Sequence, residues 1–132
     1  MTKEWYEDTV IPKEIPNFNS TNVQYITGFQ YITGFHYFIG YNSYYDEVSY
    51  LEVDFLVEVD RKKYMLKMKF NDVSCLDLLG FGNRYNQLMG FTINNLSNNG
   101  FESSKKYLVE DYESGIIKFY CASFEVLSLV EI

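Results

Sequence analysis

The sequence predicts an all-β protein, and two observations lead to that prediction. Apolar and charged residues alternate with a period of two over residues 50–60 and again over 64–70, which is the pattern of half-buried strands. Short turn signals also separate the extended runs, and no long segment has helical spacing. We therefore expect an antiparallel sandwich or a strongly curved, barrel-like sheet of about seven or eight strands, with at most one short N-terminal helix.

The first third of the chain contains an irregular segment and a repeat. No Pro-, Gly- or Ser-rich linker divides the 132 residues, so one domain over 1–132 is expected. Pro12 and Pro16 make residues 1–22 an irregular leader, with room for a short helix over 4–10. The hexapeptide Gln-Tyr-Ile-Thr-Gly-Phe then occurs twice in residues 24–35. We interpret it as a duplicated strand segment, bent or bulged at Gly28 or Gly34, which forms one strand or two.

Residues 50–70 predict a hairpin with one apolar face and one charged face. The expected core face carries Leu51, Val53, Phe55, Val57 and Val59, and the expected wet face carries Glu52, Asp54, Glu58 and Asp60. A tight turn through Arg61 and Lys62 would pair Val57 with Leu66, Phe55 with Met68, Asp60 with Lys63 and Asp54 with Lys69. Cross-strand pairing would then neutralise Asp54, Glu58 and Asp60, and leave the acidic excess at Asp46, Glu47 and Glu52.

A second hairpin is predicted around the loop Glu113-Ser114-Gly115, whose glycine suits a left-handed position. Its register pairs Tyr107 with Cys121, Val109 with Phe119, and Glu110 with Lys118. The other expected strands cover residues 73–79, 87–94 and 124–132. A turn at 80–83 and a polar loop at 96–100 separate them.

The sequence contains no recognisable catalytic motif, and we expect neither an enzyme nor a metal or cofactor site. The one histidine, His36, lies in an aromatic run. It is expected to be a strand residue with one satisfied nitrogen. A catalytic base or metal ligand is the less favoured alternative, because the chain has no second histidine and no cysteine lies nearby. Cys75 and Cys121 lack any Cys-x-x-Cys spacing and are expected to be reduced and buried. A hydrolase of unusual type is the least favoured alternative.

Composition also limits the partners. The formal net charge of −7 opposes binding to nucleic acid, which depends on Lys and Arg contacts to phosphates. No apolar run approaches the roughly 20 residues of a membrane-spanning helix. The acidic N-terminus does not resemble a secretion signal, so a cytoplasmic location is expected.

Two clusters combine tyrosine with carboxylate, a composition that suits a protein-binding surface. The candidate partner-binding residues are Tyr41, Tyr44, Tyr45, Asp46, Glu47, Tyr50 and Glu52 in the first cluster, and Glu110, Asp111 and Glu113 in the second. The tyrosines can equally pack against a second sheet, and solvation alone can explain the charges of the second cluster. A different alternative is a small-molecule or carbohydrate-binding β-domain that stacks sugars on Tyr37, Tyr41, Tyr44 or Tyr45.

Residues 68–73, 90–93 and 109–121 together resemble small bacterial immunity proteins, which are encoded beside contact-dependent polymorphic toxins in Gram-positive bacteria. The resemblance is one of strand lengths and turns and does not extend to the N-terminal third. It implies a non-enzymatic cytoplasmic protein that binds and blocks the toxin domain of a sister cell. Many such toxins are nucleases with basic clefts, and an acidic, tyrosine-rich face is complementary to such a cleft. The resemblance assigns no binding residue, because the toxin-facing surface of this family diverges fastest.

Overall fold

The computed structural model describes residues 4–27, 34–80, 85–96 and 105–132, and it has the all-β fold that the sequence predicts. The described ranges contain one α-helix, one 3₁₀ helix and ten strands. The helices are α1 (Ile11–Glu14) and η1 (Ser20–Asn22). The strands are β1 (Val23–Thr27), β2 (Phe35–Tyr41), β3 (Glu47–Val59), β4 (Lys62–Asn71), β5 (Ser74–Leu78), β6 (Tyr85–Gln87), β7 (Phe91–Asn95), β8 (Tyr107–Asp111), β9 (Ile117–Cys121) and β10 (Ser123–Glu131).

The strands form two antiparallel sheets. Sheet A has six strands in the order β10-β4-β3-β1-β6, with β2 also paired to β3, and sheet B has four in the order β5-β9-β8-β7. The two sheets share one core, in which Phe70 packs edge-on against Phe119 at 5.0 Å and Phe55 contacts Phe91 at 4.9 Å between ring centroids. Of the two architectures that the sequence predicted, the structure is therefore the sandwich, and it has more strands than expected.

The β3–β4 hairpin forms with its predicted faces but with a different register. Val57 pairs with Tyr64 and Phe55 with Leu66, so the predicted partners are wrong by two positions. The turn consists of Asp60 and Arg61, both left-handed at φ 52° and 66°, because a two-residue turn of this type matches the twist of the flanking strands. Since the error is an even number of residues, every side chain keeps its predicted direction.

The β8–β9 hairpin has the predicted register. Tyr107 pairs with Cys121, Val109 with Phe119 and Glu110 with Lys118. Gly115 has the left-handed φ of 69° that the loop requires.

The repeated hexapeptide contributes to two strands rather than one. The first four residues of the first copy, 24–27, lie in β1, and the last residue of the second copy, Phe35, begins β2. Both strands run antiparallel to β3 along the same edge, with Ile26 opposite Phe55 and Phe35 opposite Val53. Gly34 forms a bend before β2. Gly28, the other candidate for a bend or bulge, lies outside the described residues.

The expected strand over 87–94 is divided between the two sheets. β6 pairs with β1 in sheet A, whereas β7 pairs with β8 in sheet B. Division of this run, together with β2, which extends beyond the repeat to Tyr41, accounts for the larger number of strands. Most of the turn expected at 80–83 and of the loop expected at 96–100 falls on residues that the structure does not describe.

The N-terminal segment joins the core. Turns, not a helix, cover residues 5–8, and the short helix α1 begins one residue before Pro12, where a missing N–H is tolerated. Trp5, Ile11, Ile15 and Phe18 are all buried in the shared core. Residues 4–22 are therefore part of the folded core and more than the irregular leader that the sequence predicted.

The cysteines differ in burial. Cys121 is buried as expected, and burial, with a smaller contribution from Asp72, raises the pKa of its thiol to about 12. Cys75 is exposed, so the expectation of a second buried thiol is wrong. Cys75 has a left-handed φ of 55° and lies at a register shift between β5 and β9. This shift interrupts the alternation of side chains along β5. Among the described residues, no helix is long and apolar enough to cross a membrane.

Asp54 is the exception on the charged face of β3. The residue was expected to be wet, but it is 1% exposed, and neither carboxylate oxygen has a hydrogen-bond partner. Lys67, not Lys69, lies opposite it. Burial raises the pKa of Asp54, attraction to Lys67 lowers it, and repulsion from Glu52 raises it further, with a net upward shift. Asp54 therefore costs free energy when it is ionised.

We expect Asp54→Asn to raise the free energy of unfolding by about 1 kcal/mol at pH 7, because a buried amide costs less than a buried carboxylate. Because the pKa of Asp54 is raised in the folded state, ionised Asp54 destabilises the fold fully above that pKa. This destabilisation disappears as the pH falls towards the pKa of the unfolded state, about 4. The gain should therefore shrink on acidification. Urea unfolding at pH 7 and pH 4.5 measures it, with exposed Asp77→Asn as the control. A gain that grows on acidification would contradict the prediction.

Candidate functional site: the β2–β3 hairpin

Residues 42–47, which are the connection between β2 and β3 and the first residue of β3, are called the hairpin tip, and Asn42 fixes their backbone. The Oδ1 atom of Asn42 accepts hydrogen bonds from the N–H groups of Tyr44 at 2.8 Å and Asp46 at 3.1 Å. The Asn42 N–H donates to the Asp46 carbonyl, and the Tyr45 N–H donates to the Asn42 carbonyl, each at 3.0 Å. Asparagine side chains commonly order turns in this way. The tip therefore has a defined conformation.

The hairpin tip displays its aromatic side chains almost completely. Tyr44 is 82% exposed and Tyr45 is 86% exposed, with Tyr45 held at a left-handed φ of 62°. Asp46 and Glu47 beside them are exposed as well. The Tyr41 hydroxyl donates a long hydrogen bond to Glu47 Oε1, at 3.4 Å. Four of the predicted residues, Tyr44, Tyr45, Asp46 and Glu47, thus form one protruding surface, with Tyr41 at its base.

Tyr50 and Glu52 lie on the other face of the hairpin. Tyr50 stacks on Phe38 with 5.3 Å between ring centroids, and the Lys69 Nζ atom lies 4.5 Å from the Tyr50 ring centre. Glu52 lies opposite Lys69 in the β3–β4 register and opposite His36 in the β2–β3 register. Glu52 was expected to be part of the unmatched acidic excess, and this register contradicts that expectation. The structure does not join Tyr50 and Glu52 to the hairpin tip.

His36 belongs to the same stack on the outer face of sheet A. Its exposed ring stacks on that of Phe38, with 4.7 Å between centroids and 29° between the ring planes. Within the described ranges, no three His, Cys, Asp or Glu side chains lie close enough together to hold a metal ion.

Asp111 differs from the other acids of the second cluster because its side chain is buried inside the β8–β9 tip. Its carboxylate accepts hydrogen bonds from the N–H groups of Met89, Gly90, Glu113 and Ser114, at 2.7 to 3.1 Å, and from the Ser114 hydroxyl at 2.6 Å. Burial alone would raise the pKa of Asp111, but these hydrogen bonds outweigh it, and the pKa lies below its ordinary value. Asp111 connects the tip to the start of β7, and its side chain is 1% exposed, in contrast to the surface position that the sequence suggested.

The other acids of this cluster are more accessible. Glu113 is exposed, whereas Glu110 is half-buried between Thr92 and Lys118 in the sheet register. With Asp111 inside the turn, this tip presents fewer acids to solvent than the sequence indicated.

Three large side chains on β2 form a further exposed surface, the β2 stripe, of which Ile39 was not among the predicted site residues. Tyr37, Ile39 and Tyr41 point to the same face of β2 and are 46%, 56% and 67% exposed. Leu51, opposite Tyr37, is completely buried, so the stripe continues the core face of sheet A into solvent. The alternation of large residues over 37–41 was a signal for this stripe.

Two cavities of the described part of the chain lie away from the hairpin. One of about 270 Å³ is lined by Trp5, Tyr107 and Phe124 with the acids Glu4 and Asp8, and an adjacent one of about 460 Å³ extends along Glu125 and Val126. None of the tyrosines proposed to stack sugars lines either cavity. Tyr44 and Tyr45 protrude at a tip instead.

Comparison of the chain with protein-family models, with curated proteins and with solved structures gives no match. The arrangement of the β2–β3 hairpin is therefore the starting point for a functional proposal.

Proposed function

We propose that the protein is a non-enzymatic binding domain that blocks a basic protein partner through the hairpin tip. The observation that supports the proposal is the near-complete exposure of Tyr44 and Tyr45 on a backbone that Asn42 holds in place. Tyrosine is typical of binding hot spots because it contributes a large contact area at a small cost in side-chain entropy. A preformed tip reduces the ordering cost of association further.

Charge defines the expected partner. Asp46 and Glu47 adjoin the two tyrosines, and the whole chain carries a net charge of −7. Such a surface attracts basic partners and increases their rate of association at low salt. A nuclease-type toxin has a basic cleft that a protruding acidic and aromatic tip would fit.

The resemblance to immunity proteins suggests which protein the partner is. We infer that the partner is a cognate toxin domain and that binding in the cytoplasm occludes its active site. The proposal requires no catalytic group, metal or cofactor on this chain. It also separates the tip from Asp111, whose role is structural.

The test is binding of the purified chain to the toxin domain encoded beside its gene. We expect Tyr44→Ala combined with Tyr45→Ala to weaken binding by about 100-fold or more, mainly through faster dissociation, because hot-spot tyrosines contribute about 2 kcal/mol each. Asp46→Lys combined with Glu47→Lys should slow association and reduce its dependence on salt. Surface plasmon resonance at several salt concentrations measures both effects.

Tyr112→Ala is the matched control, because Tyr112 is an exposed tyrosine at the other hairpin tip. We expect this variant to bind like the wild type. Absence of a complex at low salt would contradict the proposed function. Unchanged binding by the Tyr44/Tyr45 variant, together with weaker binding by Tyr112→Ala, would move the binding surface to the β8–β9 tip.

A further inference from the structure

β2 has an open edge. The Gly34 carbonyl accepts from the Asp54 N–H at 2.9 Å, and the Asn42 N–H donates to the Asp46 carbonyl at 3.0 Å. Residues with even numbers along β2 therefore direct their backbone groups towards β3, and Tyr37, Ile39 and Tyr41 direct theirs away from it. No strand within residues 4–27, 34–80, 85–96 and 105–132 pairs with this second edge.

This edge lacks the features that usually prevent strands from associating. β10, at the other side of sheet A, carries Glu125 and Glu131 and has a register break between Val126 and Ser128. Acids and bulges of this kind discourage pairing with another chain. β2 contains no Asp, Glu, Lys or Arg and pairs with β3 without a register break. A regular, uncharged edge with an exposed apolar stripe is suited to adding a strand.

The order of side chains on β2 identifies a second copy of the same chain as the occupant. The β2 stripe is symmetric about Ile39, with Tyr37 on one side and Tyr41 on the other. In an antiparallel pair centred on Ile39, each Tyr37 would lie opposite Tyr41 of the second copy, and the two Ile39 side chains would meet. On the other face, Phe38 would lie opposite Gly40, so a large residue meets one with no side chain. Cross-strand pairs of aromatic and β-branched residues are among the more stabilising ones.

We propose that two copies of the protein associate through antiparallel pairing of their β2 strands, centred on Ile39. The outward backbone groups of Tyr37, Ile39 and Tyr41 then find partners in the second copy. The β2 stripes of the two copies form one continuous apolar surface across the joined sheets.

The acidic hairpin tips do not oppose this arrangement. In the proposed register Asn42 aligns with His36 of the second copy, so the two tips begin six residue positions apart, or roughly 20 Å. That separation exceeds the Debye length of about 8 Å at physiological ionic strength. The pairing uses residues 37–41 and not the exposed tip, so it does not rest on the proposed binding function.

Sedimentation equilibrium under reducing conditions tests the association. A single pair of short strands forms a small interface, so we expect a weak dimer whose apparent mass rises with concentration from 15.6 kDa towards twice that value. Ile39→Lys should remain at the monomer mass at every concentration, because charge on an edge strand prevents pairing. Val130→Lys is the matched control. Val130 is 55% exposed on β10 of the same sheet, against 56% for Ile39, and its variant should associate like the wild type.

Oxidative cross-linking tests the register independently of any effect of lysine on folding. In a Cys75→Ser background, Ile39→Cys should form a disulfide-linked dimer, because directly opposed residues of this pair lie about 5.5 Å apart at Cα. Tyr37→Cys is the control on the same face. Its two copies would be four positions out of register, roughly 14 Å apart, and should not cross-link. A wild type that stays monomeric at all concentrations would overturn the proposal, and so would cross-linking by Tyr37→Cys but not by Ile39→Cys.

Discussion

Asp111→Ala is expected to lower the free energy of unfolding by about 3 kcal/mol. The substitution removes the acceptor for four backbone N–H groups and one hydroxyl. The hydrogen bonds from the N–H groups of Met89 and Gly90 connect the segment before β7 to the β8–β9 tip. Each buried donor left without an acceptor costs about 1 to 3 kcal/mol, and water entering the turn offsets part of the total. Urea unfolding followed by circular dichroism gives the value.

Glu113→Ala is the control for this prediction, because Glu113 is an exposed acid in the same turn. It should change stability by less than about 0.5 kcal/mol. The acid dependence provides a second test. Because the pKa of folded Asp111 is lowered, its carboxylate stabilises the fold above the unfolded pKa of about 4, and this contribution is lost as the pH falls through the folded-state pKa. A stability difference between wild type and Asp111→Ala that grows below pH 4 would contradict this account.

Two buried aspartates thus oppose each other in their effect on acid stability. Asp111 has five donors and favours the folded state when it is ionised, whereas Asp54 has no hydrogen-bond partner and favours it when protonated. Acidification therefore relieves the cost of Asp54 before it removes the contribution of Asp111. The measured pH profile of the wild type is the sum of both, and the single variants separate them.

The hairpins were predictable because their information is local. Alternation along β3 and the glycine of the β8–β9 loop define faces and turns within about 20 residues of sequence, and one register was correct while the other was wrong by an even number. The burial of Asp54 and of Asp111 was not predictable in the same way. Charge suggested solvent for both, but burial depends on which other segments pack against them, and donors such as the Met89 N–H lie far away in sequence.

The candidate site was predicted in part for a similar reason. Tyr44, Tyr45, Asp46 and Glu47 follow Asn42, and a short polar turn displays its side chains whatever the rest of the fold. Tyr50 and Glu52 share an even-numbered face, which the alternation of β3 already indicated, but they were grouped with the tip by proximity in sequence. Ile39 was missed because apolar strand residues normally enter a core, and its exposure depends on which segments pack against that face of β2.

Trp5→Ala is expected to lower the free energy of unfolding by about 3 to 5 kcal/mol, more than Asp111→Ala. The Trp5 ring contacts Phe18, Phe91 and Phe124 edge-on, with 5.8 to 6.3 Å between ring centroids. Its Nε1–H donates to the Ser20 hydroxyl at 2.9 Å, and that hydroxyl donates to the Phe91 carbonyl. Removal of the indole would leave a cavity between the N-terminal segment and both sheets.

Trp5 is the only tryptophan in the chain, so its fluorescence reports directly on this junction. In the wild type we expect fluorescence and circular dichroism to follow the same urea transition, because the N-terminal segment and the sandwich share one core. Val10→Ala, at an exposed position of the same segment, should lose less than about 0.5 kcal/mol. A fluorescence transition at lower urea than the circular dichroism transition would mean that residues 4–22 detach first. In that case Trp5→Ala would cost only the free energy of docking this segment and would leave the unfolding of the two sheets unchanged.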